Sequence, residues 1–359
     1  MKIHFQNMSK NPVIESLLPF ESHMQHVTIT HNTAALKQFL LQDADISEFD
    51  RIQWHSQVLN PPKSFPRLAQ WIFTVSSLNF CFWHQNNCAY KLEFNGQVYS
   101  GYWALAAAIA RGAACGVDLL DNQFVSSPEF TLEKLRECFA DDGDLECPML
   151  QKRFEILNES SKVILEKFGS VDSLLKQAEN SALKLVQLVT NNFTSFQDEY
   201  FVEVQPKSDL PDLDLNFLQL CKFKKGSQNL KFFKRAQIFV AELFYSGEFA
   251  PFDINELTIF ADYRIPQMLH QFGLIKYSDQ LMKYLEDPQH LLEPGSQLEC
   301  EIRAASILSV WELSKETGYK QIMIDFLLWN LFKKIQKGSL ESLYGGVEVP
   351  MHRVRGWFY

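Results

Sequence analysis

Hydrophobic residues follow a helical spacing over most of the chain from Gln151 onward. Apolar positions recur every three or four residues from Gln151 to Gly169, again from Ala182 to Phe193, and from Phe232 almost to the end. The first 50 residues indicate short helices joined by polar loops. This pattern predicts a mainly α-helical protein.

A different pattern lies between residues 71 and 99. It begins with two apolar runs, Trp71–Val75 and Phe80–Trp83, after which apolar and polar residues alternate as far as Asn95-Gly96. Alternation that stops at Asn-Gly is typical of a tight hairpin turn. We therefore predict one small antiparallel β-sheet near residues 71–99.

Two further segments have recognisable signals. Ser100 is predicted to cap an alanine-rich helix from Tyr102 to Arg111, which Gly112 ends. Residues 199–230 carry two prolines, several acidic residues and then three lysines, a composition that predicts an exposed insertion or loop.

Composition and charge narrow the classes of function. The chain is 46% hydrophobic and 21% charged, as in ordinary globular proteins. Its formal net charge of -9 opposes binding to nucleic acid, which usually requires a basic surface. No apolar run reaches the roughly 20 residues of a membrane span, and Met1–Gln6 lacks the apolar core of a signal peptide. We therefore expect a cytoplasmic protein without a membrane partner.

The common chemical motifs are missing from the sequence. Its seven cysteines never form a C-x-x-C pair, which argues against a disulfide framework and a structural zinc site. No P-loop, G-x-G-x-x-G, G-x-S-x-G or H-E-x-x-H motif is present, so nucleotide triphosphate, dinucleotide, serine-hydrolase and zinc-protease chemistry have no support.

Asp262 is the first of two carboxylates in energetically costly positions. Asp253 and Glu256 have the spacing of a capping box, which predicts a helix that begins directly after Asp253, and Pro266 predicts that it ends near Arg264. Asp262 would then lie in the last turn, where the helix dipole opposes a negative charge by about 0.3 to 1 kcal/mol. A salt bridge to Arg264 and a functional role are both open explanations.

Asp325 is the second such carboxylate. It lies in Ile322–Phe332, which is apolar on nearly every face, and has no basic residue three or four positions away. A buried carboxylate without a partner either protonates or accepts hydrogen bonds from the rest of the fold or from a ligand. Phe326, Trp329 and Asn330 share its helix face, at about 100° per residue. Ligand binding and a structural hydrogen bond to a neighbouring helix both remain possible.

Several basic residues are weaker candidates. Those that could bind a phosphate are Lys234, Arg235, Arg264, Lys276, His352, Arg353 and Arg355. Such side chains more often form a solvated helix face. His55 is a lone histidine, which is more often a structural residue than a ligand.

Nine short stretches resemble the queuosine 5′-phosphate N-glycosylase/hydrolase family, the queuosine salvage proteins. They are Asn79–Trp83, Tyr99–Trp103, Arg153–Glu159, Leu165–Gly169, Glu179–Ala182, Lys234–Gln237, Phe260–Arg264, Lys276–Asp279 and His352–Arg353. No single stretch is specific, but their ordered combination is.

The resemblance implies that the protein hydrolyses the N-glycosidic bond of queuosine 5′-monophosphate to queuine and ribose 5-phosphate. It implies no metal and no organic cofactor, no direct nucleic-acid partner, and a helical fold related to the helix-hairpin-helix DNA glycosylases. We accordingly divide the chain into an N-terminal helical and loop segment, residues 1–53, and a single catalytic domain, residues 54–359.

The resemblance also implies roles for individual residues. Asp262 is the expected catalytic residue. The residues expected to bind the base are His55, Phe260, Asp325, Phe326 and Asn330. Apart from the resemblance, we expect the phosphate to contact Lys234, Arg235 or Arg264, which are among the basic candidates. The family commonly has Tyr at the position of Phe326 and Asp at that of Asn330, which leaves open a non-catalytic queuine-binding protein. A glycosylase that flips a base out of nucleic acid is a further alternative, which the net charge opposes.

Overall fold

The computed structural model describes residues 10–43, 51–84, 88–140, 146–202, 228–336 and 349–358. Within them the α-helices are α1 (Pro12–Leu17), α2 (Ala34–Gln38), α3 (Arg51–Ser56), α4 (Leu68–Leu78), α5 (Tyr102–Ala114), α6 (Asn122–Ser126), α7 (Leu132–Phe139), α8 (Leu150–Val163), α9 (Val171–Gln177), α10 (Ala182–Asn192), α11 (Lys234–Ser246), α12 (Ile265–Gln271), α13 (Asp279–Glu286), α14 (Gln297–Thr317) and α15 (Gln321–Gln336). Short 3-10 helices span Leu18–His23, Thr194–Phe196 and Ile254–Glu256, and π-helical turns span Phe39–Asp43 and Ile164–Phe168.

Six short strands form three antiparallel pairs in the described part of the chain. The strands are β1 (Val27–Ile29), β2 (Lys91–Phe94), β3 (Gln97–Ser100), β4 (Glu199–Val202), β5 (Gln228–Lys231) and β6 (Ile275–Tyr277). They pair as β1 with β6, β2 with β3 and β4 with β5. The prediction of a mainly helical protein is confirmed, but the described residues form three two-stranded antiparallel sheets where one small sheet is predicted.

The chain forms two compact units that interleave in sequence. Unit 1 consists of Met1–Ser47, Asp198–Lys234 and Asn255–Arg355. Unit 2 consists of Glu48–Gln197, Arg235–Ile254 and Gly356–Tyr359. The division into residues 1–53 and one catalytic domain of residues 54–359 stays a prediction.

The predicted hairpin in unit 2 is correct at one end and wrong at the other. Lys91 pairs with Ser100 and Phe94 with Gln97 around the turn Asn95-Gly96, whose φ angles are 52° and 76°. The segment Trp71–Val75, predicted to belong to the sheet, lies instead in α4. Nearly every position of α4 is buried, so its sequence carries neither the helical nor the strand period.

Gly112 has a packing role rather than the predicted role of ending α5. The helix continues to Ala114 and its N-cap is Gly101 instead of Ser100. A Cβ atom at Gly112 would lie 2.9 Å from both the Sγ of Cys138 and the carbonyl oxygen of Val117. Glycine therefore allows α7 to approach α5 closely. The predicted stop at Gly169, by contrast, is confirmed, with φ 76° after the π-helical turn.

The core of unit 1 is built on α14, whose polar side chains are buried together with its apolar ones. The Oε2 of Glu301 accepts hydrogen bonds from the N–H groups of Gln25, His26 and Val27 at 2.9, 2.7 and 3.1 Å. Burial raises the pKa of this carboxyl group. The contact ties the segment that leads into β1 to α14.

The segment predicted to be an exposed insertion or loop begins and ends in strands. Strands β4 and β5 pair with the register Glu199 to Lys231 and Val202 to Gln228, so residues 199–202 and 228–230 are not loop, and the exposed insertion stays a prediction. Residues 203–227 lie outside the described residues.

Among the described residues, no helix is both long and apolar enough to cross a membrane.

Candidate active site

Asp262 lies shortly before a helix, not at the end of one. The chain makes a 3-10 turn at Ile254–Glu256, and the next helix, α12, begins at Ile265. The predicted helix between Asp253 and Arg264 is therefore wrong. Pro266 lies in the first turn of α12, where its missing N–H leaves no helical bond unmade.

Two backbone groups fix the orientation of the Asp262 carboxylate. Its Oδ1 accepts hydrogen bonds from the N–H groups of Arg264 at 2.7 Å and Ile265 at 2.9 Å. Its side chain is half-buried, and Oδ2 has no hydrogen-bond donor among the described residues. The carboxylate is thus held at one oxygen, while the other remains available to a ligand or a water molecule.

Asp253, predicted to cap a helix at residue 254, stabilises the start of a different helix. Its carboxylate accepts hydrogen bonds from the hydroxyl of Ser181 at 2.7 Å and from the N–H of Ala182 at 2.5 Å. Ser181 is itself the N-cap of α10. The spacing to Glu256 had suggested a local capping box, but the acceptor is used 71 residues away in sequence.

Asp325 is buried, as predicted, and its partner comes from the Asp262 segment. Its side chain is 5% exposed, and its Oδ2 accepts a hydrogen bond from the N–H of Phe260 at 2.7 Å. Burial raises the pKa of Asp325 well above its usual value, and the charge of Asp262 raises it further. The Phe260 N–H and the ammonium of Lys234 act in the opposite direction. The structure therefore brings together Phe260, Asp262, Asp325 and Lys234.

An aromatic surface adjoins these two carboxylates. The rings of Phe260 and Phe326 meet edge to face, with their centroids 5.9 Å apart. Phe326, Trp329 and Asn330 are half-buried on α15, whereas Leu327 and Leu328 between them are buried. The helix face predicted from the sequence thus carries its partly accessible ring and amide groups beside Asp325.

Cations gather on the same unit around His352. This histidine is fully buried, and its pKa is lowered to about 3 by burial and then by the charges of Arg303, Arg264 and Lys234. The guanidinium of Arg264 also lies over the ring of Phe332, 4.5 Å from its centroid. Two of the predicted phosphate ligands, Lys234 and Arg264, are therefore close to one electropositive region.

Arg235 and His55 belong to unit 2, where their polar atoms are engaged by backbone groups. Arg235 donates hydrogen bonds to the carbonyl oxygens of Ser77 and Ser195, and its side chain is 1% exposed. The ring nitrogens of His55 lie 3.0 Å from the carbonyl oxygen of Pro61 and 2.9 Å from that of Ser246. These contacts argue against a phosphate-binding role for Arg235.

The family follows from comparison with known proteins. Residues 59–207 and 216–359 match the family described as queuosine salvage protein. The chain belongs to the queuosine salvage protein family. A mouse member is 33% identical over 329 residues, 86% of this chain and 87% of its own length. A member from Sphaerobacter thermophilus is 34% identical over 302 residues, 81% of each chain, and one from Schizosaccharomyces pombe is 31% identical over 326 residues. All three are named queuosine 5′-phosphate N-glycosylase/hydrolase.

For this queuosine salvage family member, the structure adds residues that the sequence analysis missed. Glu242 lies in the apolar run Phe239–Phe244, and an acidic residue in an apolar run is also the signal that marks Asp325. No local sequence pattern indicates the buried ion pair of Asp198 and Arg303, because 105 residues separate its partners. Within the described residues, no group of three or more His, Cys, Asp or Glu side chains is arranged to hold a metal ion.

Proposed function

We propose that the protein hydrolyses the N-glycosidic bond of queuosine 5′-phosphate and releases queuine and ribose 5-phosphate for queuine salvage. Membership of the queuosine salvage family, with relatives of that named activity over more than 80% of the chain, carries this conclusion. The carboxylates of Asp262 and Asp325 beside the ring of Phe260 supply groups suited to the reaction.

The leaving base determines what the enzyme must stabilise. Queuine is a 7-deazaguanine, so a carbon atom replaces N7, the usual site at which protonation helps a purine to leave. Catalysis then depends on stabilising the sugar as it develops oxocarbenium character, as in glycoside hydrolysis generally. A carboxylate close to C1′ and a positioned water molecule satisfy that requirement.

Asp262 is the residue best placed for that role. Its Oδ1 is held by the N–H groups of Arg264 and Ile265, which leaves Oδ2 to face the sugar or to accept a proton from water. A carboxylate oriented beforehand by backbone donors does not need to reorganise as charge develops. The side chain is also half-buried, so a substrate can reach it.

Asp325 and the aromatic residues around it are assigned to the base. The guanine-like edge of queuine presents N–H donors. The carboxylate of Asp325 can accept hydrogen bonds from them while its Oδ2 keeps the hydrogen bond from the N–H of Phe260. Such donors would lower the raised pKa of Asp325, in the same direction as the Phe260 N–H does. The half-buried Phe326 offers ring surface to the base, with the buried ring of Phe260 against it edge to face, and Asn330 offers an amide.

The phosphate is assigned to Lys234 and Arg264. Both contribute to the positive field that lowers the pKa of His352. The positive charges of Lys234 and Arg264 repel each other, and a phosphate dianion placed near them would neutralise them. Arg235, although adjacent in sequence, is omitted because its guanidinium donates to two backbone carbonyls.

Three finer features belong to the same proposal. The fold is related to that of the helix-hairpin-helix DNA glycosylases, the substrate is a free mononucleotide and not a nucleic acid, and the reaction takes place in the cytoplasm. The formal net charge of -9 supports the second of these.

Product analysis tests the proposal. The purified protein is incubated with queuosine 5′-phosphate and, separately, with queuosine, and free queuine is measured by mass spectrometry. We expect queuine from the phosphorylated substrate. Binding of queuine without release from either substrate would favour a non-catalytic binding protein. Release of a base from duplex nucleic acid alone would favour the base-flipping alternative.

A further inference from the structure

The side-chain amide of Gln267 lies against the guanidinium of Arg264, one of the two cations assigned to the phosphate. Gln267 is in the first turn of α12, and its side chain is 4% exposed. Its Oε1 accepts a hydrogen bond from Nη1 of Arg264 at 3.0 Å, and its Nε2 donates one to the carbonyl oxygen of Val349 at 2.6 Å. Both ends of one buried amide are therefore used.

These two contacts determine which way the amide faces. If Oε1 and Nε2 exchanged places, an N–H group would face the guanidinium and an oxygen would face the carbonyl of Val349, so both hydrogen bonds would be lost. The segment that carries Val349 is also fixed at a second point, since the carbonyl oxygen of Arg353 accepts a hydrogen bond from the N–H of Leu292 at 2.7 Å. The oxygen offered to Arg264 consequently has a defined position.

Arg264 is held at three points, all within unit 1. Its backbone N–H donates to Oδ1 of Asp262 at 2.7 Å. Its guanidinium carbon lies 4.5 Å from the centroid of the Phe332 ring, and one guanidinium nitrogen donates to Gln267. The same residue thus orients the carboxylate proposed for catalysis and presents a cation proposed for the phosphate.

The contact with Gln267 orients Arg264 without pairing its charge. An amide oxygen carries no net charge, and among the described residues no carboxylate forms an ion pair with this guanidinium. Burial lowers the pKa of Arg264, and the charge of Asp262 acts in the opposite direction. A guanidinium has further N–H donors in a rigid plane, which match the oxygens of a phosphate. A neutral acceptor therefore fixes this plane and leaves the attraction to an anion intact.

We propose that Gln267 is a positioning residue, which holds the guanidinium of Arg264 in the orientation that binds the 5′-phosphate of the substrate. The assignment rests on the proposed function. Gln267 acts through Arg264 and does not itself contact the substrate. In a purely structural role, Gln267 would only fasten α12 to Val349, and its loss would affect substrates with and without a phosphate alike.

Kinetics on queuosine 5′-phosphate and on queuosine test this role in the full chain. Gln267→Met and Asn11→Leu each replace a buried amide by an apolar group of similar shape. Asn11 is the matched control, because its side chain is 2% exposed in unit 1 and its Nδ2 donates to the carbonyl oxygen of Glu256 at 2.6 Å. Its Oδ1 accepts from the N–H of Val13, a backbone group, where Gln267 accepts from a guanidinium.

We expect Gln267→Met to raise KM for queuosine 5′-phosphate by about 10-fold, the usual effect of losing a hydrogen bond to a charged group, and to change kcat by less than about threefold. KM for queuosine, or its inhibition constant if it is not cleaved, should change by less than about threefold. Asn11→Leu should lower the unfolding temperature comparably without favouring either substrate. Equal losses on both substrates with Gln267→Met, no loss on either, or the same selective loss with Asn11→Leu would overturn the proposal.

A second variant keeps the test decisive if Gln267→Met does not fold. Gln267→Glu retains the shape and an oxygen for Arg264, but its carboxylate pairs with the guanidinium and repels a phosphate. We expect the same selective rise in KM, and an equal change on both substrates would contradict the proposal. In an Arg264→Gln background, either change at 267 should alter KM by less than about threefold, because Gln267 acts through Arg264. Additive effects would contradict that coupling.

Calorimetric titration separates this inference from the proposed function. Ribose 5-phosphate and ribose are titrated into the unmodified protein and into the Gln267→Met variant. If the unmodified protein releases no queuine, the hydrolase activity is refuted, yet tighter binding of ribose 5-phosphate that depends on Gln267 would still support the positioning role. If the unmodified protein releases queuine but the variant binds ribose 5-phosphate equally tightly, the positioning role alone is refuted.

Discussion

The Oδ2 of Asp325 accepts a hydrogen bond from the backbone N–H of Phe260 at 2.7 Å, and this contact joins α15 to the segment that carries Asp262. Two carboxyl groups thereby share one neighbourhood, and the charge of Asp262 helps to raise the pKa of Asp325. Different environments for two neighbouring acids are a common basis for different catalytic roles.

The raised pKa of Asp325 predicts how stability depends on pH. Because its pKa is higher in the folded than in the unfolded state, the folded protein binds more protons above about pH 3.8. This group therefore stabilises the fold most below the unfolded pKa, and its contribution is lost as pH rises through the folded pKa. Asp325→Asn removes the titration, so its free energy of unfolding relative to the unmodified protein should increase with pH.

Urea unfolding at several pH values measures this difference. Glu286→Gln, which replaces an exposed acid of α13, is measured alongside as the control substitution. A flat profile for Asp325→Asn would mean that the folded protein does not raise the pKa of Asp325.

Asp262→Asn should separate catalysis from folding. The substituted amide keeps an oxygen that can accept from the N–H groups of Arg264 and Ile265, so stability should fall by no more than about 1 kcal/mol. Loss of the charge facing the developing cation should reduce kcat by about 100-fold or more. Turnover of queuosine 5′-phosphate and thermal unfolding are measured on the same preparation. Near-normal turnover would remove Asp262 from the catalytic role.

The sequence predicted the buried position of Asp325 but not the position of Asp262. Asp325 lies in an apolar run without nearby cations, and that signal is local. The helix expected before Pro266 depended on Asp253, whose carboxylate is used by Ser181 and Ala182 instead. A contact between residues so distant in sequence has no local pattern, and Pro is compatible with both the end and the first turn of a helix.

The same limit applies to the helices and to the buried arginines. Buried Trp71 lies in a helix without a polar face, which cannot be told from a strand by its period. Arg235 and Lys234 look alike in sequence, yet the former stacks over Phe80 and Phe196 at 5.0 and 5.2 Å, whereas the latter influences Asp325. Only the tertiary structure separates these roles.

The corrected position of Asp253 predicts which residues are coupled. Asp253→Ala and Ser181→Ala should each destabilise the protein by about 0.5 to 2 kcal/mol, because both side chains stabilise the start of α10. The double variant should cost less than the sum of the two. Additive losses at 181 and 253, measured by urea unfolding, would contradict this account.

Two ion pairs allow burial to be tested directly. Arg303 and Asp198 are paired at 2.6 Å with side chains that are 0% and 2% exposed, whereas Arg67 and Asp118 are paired at 2.7 Å with 45% and 41% exposed. Asp198→Asn should cost about 3 to 5 kcal/mol because it removes one of two carboxylates, Asp198 and Glu299, that pair with the buried guanidinium. Asp118→Asn should cost about 0 to 1 kcal/mol. If the two variants lost similar free energies of unfolding in chemical denaturation, burial would not distinguish the two ion pairs.

Lys234 and Arg235 are neighbours in sequence with different expected roles, and a pair of variants distinguishes them. Lys234→Gln removes a cation near Asp325 and His352 that we assign to the phosphate. Its effect should therefore depend on the substrate: kcat/KM should fall by about 10- to 100-fold more for queuosine 5′-phosphate than for queuosine.

Arg235→Lys serves as the comparison, because its guanidinium donates to the carbonyl oxygens of Ser77 and Ser195 and a lysine cannot reproduce both bonds. This variant should lower the unfolding temperature and reduce the activity on both substrates in the same proportion. A selective loss with Arg235→Lys would show that the exclusion of Arg235 is wrong, whereas an equal loss on both substrates with Lys234→Gln would show that Lys234 does not bind the phosphate. The electropositive region around His352 would then have to neutralise Asp325 instead of the substrate.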